Sequence, residues 1–335
     1  MRGYKTLIKK YDKSDMLALL RSFPEQCELA LEISQRYPLK TSKTYENIFI
    51  QGMGGSGIGG VIASDLLKSI CKVPIIVNNS YELPSFVNEK TLAFFVSYSG
   101  NTEETLACFK KAKAKNAKIL CISSNGKLAK LCKSCLRVPA GKPPRTMLGF
   151  LSLPLLVTIE RCKLLKKPLP LKALPRFLKR EIAGIEKLSC SLAKKLYGKI
   201  PVIYASDSYK AVALRIHTQL AENSAVFSHW NVLPEANHNE IVGFKPKEKS
   251  LAFVFFRSRD ESKRMQRRFA FTKKLVSKKS SAIEIQLKGK TNIERMFYGI
   301  LLGDFISYYL ALLNKKDPSE IRNIKSLKNA LMSFP

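Results

Sequence analysis

Long apolar runs are missing from this sequence. No stretch of eighteen or more apolar residues occurs, and the longest apolar segments, around Leu148–Ile159 and Ile300–Leu313, are interrupted by Ser, Pro, Thr, Asp or Tyr. That argues against a transmembrane helix. The opening MRGYKTLIKKYDKSD carries neither an apolar core nor a small-residue cleavage site, so it does not read as a secretory signal. Histidine occurs three times and tryptophan once. His217, His229 and His238 show no HExxH or other close ligand spacing with Glu222, Glu235 or Glu240, so no metal site is expected. Cysteine is absent after position 190, and the eight that precede it are irregularly spaced. Cys108 and Cys121 fall inside apolar patterns, which points to reduced thiols in a cytoplasmic protein rather than a disulfide framework. Cys132-Lys-Ser-Cys135 is a lone CxxC without a second pair or a nearby His, and reads as coincidence. Acidic residues are scarce: 26 Asp and Glu face 58 Lys and Arg, a net charge of +32. A basic surface can bind nucleic acid, attract anionic substrates, or reflect the composition of its cell. The basic residues are scattered in KK pairs with no run of six, which favours a solvated basic surface over nucleic acid as the main partner.

What is present is an ordinary globular balance, 45% hydrophobic and 25% charged over 335 residues. That length predicts about two domains and a core that needs neither disulfides nor a structural metal. Residues 1–36 carry helical apolar spacing. From position 47 the pattern changes to short apolar runs alternating with amphipathic segments. Strands are predicted at 47–51, 74–77, 92–97, 118–123 and 136–138, with helices at 58–70 and 102–115 between them. A Pro-spiked, Leu-rich connector over 140–195 separates these from a second alternation. There, strands are predicted at 201–205, 225–228, 251–256 and 282–287, and helices at 209–222, 261–277 and 292–314, with a short helix after Pro318. Strands alternating with helices imply βαβ units and parallel sheets. The predicted division is a helical segment 1–44, an α/β subdomain 45–155, a helical connector 156–195 and a second α/β subdomain 196–335, with no convincing sequence repeat between the halves.

Two loops carry candidate chemistry. Gln51-Gly-Met-Gly-Gly-Ser-Gly-Ile-Gly-Gly60 joins a strand to a helix, where glycines permit close backbone approach and the helix start offers free N–H groups to an anion. The string fits G-x-G-x-x-G, but the next strand ends Val77-Asn78-Asn79, and the first acid is Glu82. A ribose-binding acid is therefore missing where a dinucleotide site wants one. Ser97-Tyr-Ser99-Gly-Asn-Thr102 follows the third strand and opens a helix. Capping needs one hydroxyl, whereas this loop has three. Both loops lie at the carboxyl ends of parallel strands, where ligands bind. This pair of loops resembles the sugar isomerase (SIS) domain, whose members hold phosphosugars. The resemblance puts phosphate on Ser97, Ser99 and Thr102, and places Gly55 and Ser56 against the sugar.

The second half contains Arg215-x-x-x-Gln219-x-x-Glu222-Asn223, a polar stripe on one helix face that marks a site or a buried network. His238 follows in Leu233-Pro-Glu-Ala-Asn-His-Asn-Glu240, and Arg145 sits in a Pro-rigidified Lys142-Pro-Pro-Arg-Thr146 loop. With GMGGSGIGG, SYSGNTEETL, PPR, RxxxQxxEN, LPExNHNE and a C-terminal LK kept in order along nearly the whole chain, the sequence is similar to the bifunctional phosphoglucose/phosphomannose isomerases. The resemblance implies two SIS-type subdomains, each a parallel sheet flanked by helices in a flavodoxin-like three-layer arrangement. It implies a homodimer, glucose 6-phosphate, fructose 6-phosphate and mannose 6-phosphate as substrates, and no cofactor. It assigns Glu222 as the base, Arg145 to the enediolate, His238 to ring opening from the neighbouring subunit, and Lys328, or its neighbour Lys325, to the ring oxygen. Ser319, in Asp317-Pro-Ser319, takes the place of a threonine linked to acceptance of the mannose epimer. Two readings compete: a non-catalytic phosphosugar-binding regulator, and an isomerase of another sugar phosphate. A regulator has no need of both Glu222 and His238.

Overall fold

The computed structural model describes residues 2–40, 44–244, 249–278 and 280–332. The N-terminal segment is helical but broken: a 3-10 turn Arg2–Tyr4 leads into α1 (Lys5–Tyr11), α2 (Met16–Arg21) and α3 (Phe23–Arg36). The break before α2 comes from Asp15, which adopts the left-handed conformation and accepts from the Ala18 N–H as N-cap. The first α/β unit comprises β1 (Asn47–Gly52), α4 (Gly54–Leu67), β2 (Ile75–Asn78), β3 (Thr91–Val96), α5 (Glu103–Ala114), β4 (Lys118–Ser123), α6 (Gly126–Leu131) and β5 (Cys135–Arg137). Two long helices, α7 (Leu148–Arg161) and α8 (Leu174–Leu196), occupy the connector. The second unit comprises β6 (Ile200–Ser206), α9 (Lys210–Ser224), β7 (His229–Leu233), β8 (Leu251–Arg257), α10 (Lys263–Ser277), β9 (Ser281–Gln286) and α11 (Asn292–Leu313), followed by α12 (Arg322–Met332).

Both sheets are wholly parallel, in the orders β2-β1-β3-β4-β5 and β7-β6-β8-β9. Side-chain alternation sorts each strand between two layers. In the first sheet Ile48, Ile50, Phe94 and Ile122 face one way; Phe49, Phe95 and Cys121 face the other, against Phe109 of α5 and Leu128 of α6. In the second sheet Ile203, Val254 and Ile285 share a core with Ile48 and Ile50, whereas Tyr204, Phe253 and Phe255 pack on Phe269 of α10. One continuous core therefore joins the inner faces of both sheets through α3, α4, α7, α8, α9 and α11.

Two expectations change. The glycine run is not a loop ahead of a helix; it is the first turn of α4 itself, which starts at Gly54 rather than Ile58. No strand occupies 225–228. Ala225 is left-handed and terminates α9, and the strand begins at His229. By length and composition alone α11 could cross a membrane, yet 94% of its most apolar window is buried inside the fold. It is the central core helix, started by a capping box between Thr291 and Glu294.

The two units meet where Asp65 of α4 accepts the Ala211 N–H at 2.7 Å. Burial pushes the Asp65 carboxyl up to about 6 from an ordinary 3.8, with the Ala211 bond opposing. The folded state thus holds this proton more tightly than the unfolded chain. Stability from this group is present below the unfolded value and is lost as pH rises through about 6. Asp65→Asn is expected to raise stability at pH 7 by about 1–2 kcal/mol, discounted for the group's residual exposure, with the gain fading towards pH 4. Urea unfolding at both pH values tests this; an equal loss at both would show that the carboxylate itself is needed.

Candidate active site

In the first sheet the chain leaves β1 towards β2 on one side and returns to β3 on the other. The crevice between the carboxyl ends of β1 and β3 is thus a topological switch point, where open α/β sheets bind ligands. The α4 glycine turn and the 97–102 loop form its two lips. Thr102 sits at the N-cap position of α5 but makes no capping bond. Its hydroxyl instead meets Ser97 Oγ at 2.8 Å. Ser56 Oγ accepts the Tyr98 N–H at 3.2 Å, stitching one lip to the other, and the exposed Ser99 Oγ accepts the Asn101 N–H at 3.3 Å. Gly100 has φ +67°, and a Cβ there would collide with the Asn125 carbonyl. Only glycine lets the loop turn this tightly. Neutral hydroxyls and the N-terminal turns of α4 and α5 lie together at these strand ends, a donor set suited to phosphate.

Arg145 lies directly behind the glycine turn. A Cβ on Gly55 would stand 3.3 Å from the Arg145 Cα, so a larger residue would push the two segments apart. The Arg145 side chain is 5% exposed. Its Nε donates to Asn223 Oδ1 at 2.7 Å and its Nη2 to the Pro318 carbonyl at 2.6 Å, while Nη1 stands 3.7 Å from Glu222 Oε2. Burial lowers the Arg145 pKa, and the Glu222 carboxylate opposes that shift. The backbone is also tethered: Arg215 Nη2 donates to the Arg145 carbonyl at 2.5 Å. Arg215 in turn forms a two-pronged pair with Asp304 at 2.8 and 3.0 Å, all inside the core. Asn223 Nδ2 donates to Ser307 Oγ, which donates to the Asp304 carbonyl. The Lys142–Thr146 loop, α9, α11 and the segment after it are thereby locked around one guanidinium.

Glu222 stands at the mouth of a cleft of about 590 Å³ between the end of α9 and the start of α12. Lys316 also lines this cleft and donates from Nζ to the Glu222 carbonyl at 2.8 Å. Burial, followed by the nearby Arg145 charge, lowers the Lys316 pKa. Ser319 lies beside Pro318 with its backbone N–H on Asp317, and its buried Oγ has no hydrogen-bond partner among the described residues.

The fold therefore gathers Gly55, Ser56, Ser97, Ser99 and Thr102 at the crevice, and connects them through Arg145 to Glu222 and Ser319. It does not gather His238 or Lys328. His238 is exposed on the turn after Pro234, and no hydrogen bond or ion pair joins it to the others among the described residues. Its turn is held firmly: Glu240 accepts from Tyr204, Asn231 and His229, and Asn237 donates to Thr272. Lys328 is exposed on α12, as is Lys325. Sequence reasoning missed Lys316, one member of a KK pair, and the buried partners Asp304 and Ser307. Asp304 did carry a signal: a lone carboxylate in the apolar run Leu301-Leu-Gly-Asp-Phe-Ile306 must find a buried cation or hydrogen-bond donor.

The second crevice, between the carboxyl ends of β6 and β8, is filled by the chain's own side chains. Arg295 reaches Tyr209 Oη at 2.8 Å and Asp260 at 2.5 Å there. The first crevice carries neutral hydroxyls at the equivalent place.

Comparison with known proteins finds two family matches along the chain. Residues 43–157 match the SIS domain and residues 185–331 the bacterial phospho-glucose isomerase C-terminal SIS domain. The chain is 36% identical to a bifunctional phosphoglucose/phosphomannose isomerase from Caldicellulosiruptor bescii, covering 94% of this chain and 98% of that protein. It is 33% identical to one from Thermoplasma acidophilum, covering 86% and 90%. Among solved structures, the C-terminal domain of glucosamine-fructose-6-phosphate aminotransferase from Francisella tularensis superposes with a TM-score of 0.71 at 16% identity, covering 91% of this chain and 98% of that one.

Removing one partner from a buried ion pair leaves an uncompensated charge, at a cost of about 3–5 kcal/mol. Asp304→Asn is expected to lose stability on that scale. Arg215→Met combined with Asp304→Leu should recover part of it while leaving the Arg145 loop untethered and turnover low. Denaturant unfolding and steady-state assays of both variants test the pair; wild-type turnover in a folded double variant would free Arg145 from this dependence.

Proposed function

We propose how this chain, a member of the bifunctional phosphoglucose/phosphomannose isomerase family of SIS-domain proteins, uses this site to interconvert fructose 6-phosphate with glucose 6-phosphate and with mannose 6-phosphate. The phosphate sits on Ser97, Ser99, Thr102 and the α4 amide turn, and Gly55 and Ser56 border the sugar. The open-chain aldose then lies alongside the Arg145–Glu222 pair, with C1 and C2 within reach of both groups. Glu222 takes the C2 proton, and the C2–H electrons become the C1–C2 double bond of a cis-enediolate. The protonated carboxyl returns that proton to C1, while the O2 proton moves to O1. Arg145 stabilises the developing oxyanion from a buried position, where a fixed charge acts more strongly than in water. Lys316, whose Nζ holds the Glu222 backbone carbonyl, adds a second cation beside Glu222. The observation that carries this reading is the Arg145–Glu222 pairing immediately behind the glycine turn.

His238 opens the ring from a second copy of the chain. It is exposed on a rigid turn, and apolar surface stands uncovered near the cleft: Phe227 is 79% exposed, and Ile324, Leu327 and Leu331 form an unburied stripe on α12. Packing α12 in such a dimer would also bring Lys328 towards a site, which is the route by which it would reach the ring oxygen. Ser319 contacts the 2-hydroxyl and sets tolerance of the mannose epimer. All eight cysteines are free thiols, which supports a reducing, cytoplasmic setting.

Glu222→Gln is expected to lower kcat by about two to four orders of magnitude with little change in substrate binding. Mixed Glu222→Gln and His238→Asn subunits should regain about a quarter of wild-type activity, because half the dimers are hybrids with one intact site. No recovery on mixing would place His238 in its own subunit's site. Ser99→Ala with Thr102→Ala should raise KM far more than it lowers kcat; an unchanged KM would reject the phosphate cradle. Fructose 6-phosphate incubated with enzyme and EDTA should yield both aldoses. Loss of mannose 6-phosphate alone in Ser319→Ala would assign epimer choice to that hydroxyl, whereas EDTA inhibition reversed by a metal would overturn the metal-free route.

A further inference from the structure

Helix α10 presents Arg264, Arg267, Arg268 and Phe271 along one face, at i, i+3, i+4 and i+7. Together with Asn237 and Ile241 they line a cleft of about 470 Å³ against the turn that carries His238. Every acid near the ends of α10 is already engaged. Glu261 pairs with Arg257 at 2.7 Å, Asp260 with Arg295 at 2.5 Å, and Glu284 with Lys273 and Arg257 at 3.0 and 3.4 Å. No carboxylate lies within ion-pair distance of Arg264, Arg267 or Arg268 among the described residues. Arg268 is oriented by Nη1, which reaches Asn237 Oδ1 at 3.4 Å, and Asn237 is itself anchored on Thr272. Arg264 and Arg267 are exposed with no recorded partner among the described residues, and Phe271 at the rim is 62% exposed.

Three guanidiniums around one concavity repel one another across a distance that physiological salt screens only in part. A single phosphate can neutralise one or two of them. A chain of linked phosphates can pair with all three through two-pronged hydrogen bonds, the geometry at which arginine excels over lysine. We propose that this cleft binds a polyphosphate chain, either free or carried by a nucleoside whose base stacks on Phe271. This site is separate from the phosphosugar crevice and stands whether or not the isomerase assignments above hold. Its wall, Asn237, precedes His238, so occupancy would bear on the position of that residue.

The test uses the full-length protein at physiological ionic strength, saturated with fructose 6-phosphate so that the sugar site is filled. Calorimetric titrations with tripolyphosphate, magnesium-free ATP and inorganic phosphate are compared. Tripolyphosphate should bind at least about tenfold tighter than inorganic phosphate. Arg264→Ala with Arg267→Ala should weaken tripolyphosphate at least about tenfold while the isomerase kcat and KM stay at wild-type values, which also shows the variant is folded. If Phe271→Ala weakens ATP but not tripolyphosphate, the ligand is a nucleotide; if it weakens neither, the ligand is the bare polyphosphate chain. Unchanged tripolyphosphate affinity in the double variant overturns the proposal. So does binding no tighter than that of inorganic phosphate.

Discussion

The site depends on keeping one charged guanidinium, Arg145, in a place from which water has been removed. A buried cation is costly unless its donors are met. Here they are met by elements far apart in the chain: Asn223 on α9, the Pro318 carbonyl after α11, and Glu222 facing the cleft. The Arg215–Asp304 pair then fixes the loop that carries Arg145, from within the core. Each tether crosses from the first α/β unit to the second or to the tail. The two sheets cannot shift relative to each other without breaking the arrangement that holds Glu222 beside Arg145. Rigidity at this seam serves positioning more than net stability, because buried ion pairs contribute little net stability once desolvation is counted.

The two sheets share a plan and diverge in use. Each has a switch point flanked by loops at the carboxyl ends of its strands. The first carries a tight hydroxyl loop there, turned at Gly100 and closed by the Ser97–Thr102 contact. The second fills the equivalent space with Arg295, Tyr209 and Asp260. The second unit contributes to the site from α9 and from the chain after α11 instead. A common fold thus carries a hydroxyl-rich loop in one unit and a buried charged network in the other, a division made by loop chemistry rather than topology.

Much of the fold was legible because its signals are local. The strands 47–51, 92–97 and 118–123 are short apolar runs bounded by turn residues, and they appear within a residue of those limits. The misplacement of β7 has a local cause too. Ala225–Ser228 looked apolar enough for a strand, but α9 ends on a left-handed Ala225, and the true strand, His229–Leu233, is half-buried and mixed in polarity. The start of α4 was put four residues late because glycine is a poor helix former. Its helical conformation here is enforced by packing against the Arg145 loop and α7, which propensity does not report.

The glycine-rich and serine–threonine loops could be read from the sequence alone, because six or ten contiguous residues specify their turn, their hydroxyls and their position after a strand. The polar stripe of α9 was equally visible, because helical periodicity puts Arg215, Gln219 and Glu222 on one face whatever surrounds them. Which of those three enters the core and which faces the cleft was decided only by tertiary structure. Arg215 turns inward because α11 brings Asp304 to it from 89 residues away, and Glu222 remains at the mouth because α9 ends there. The same long-range closure places Lys316 beside Glu222 and leaves Lys328 exposed on α12. Local sequence sets which groups are available along each element; the packing of distant elements decides which of them lose water and meet.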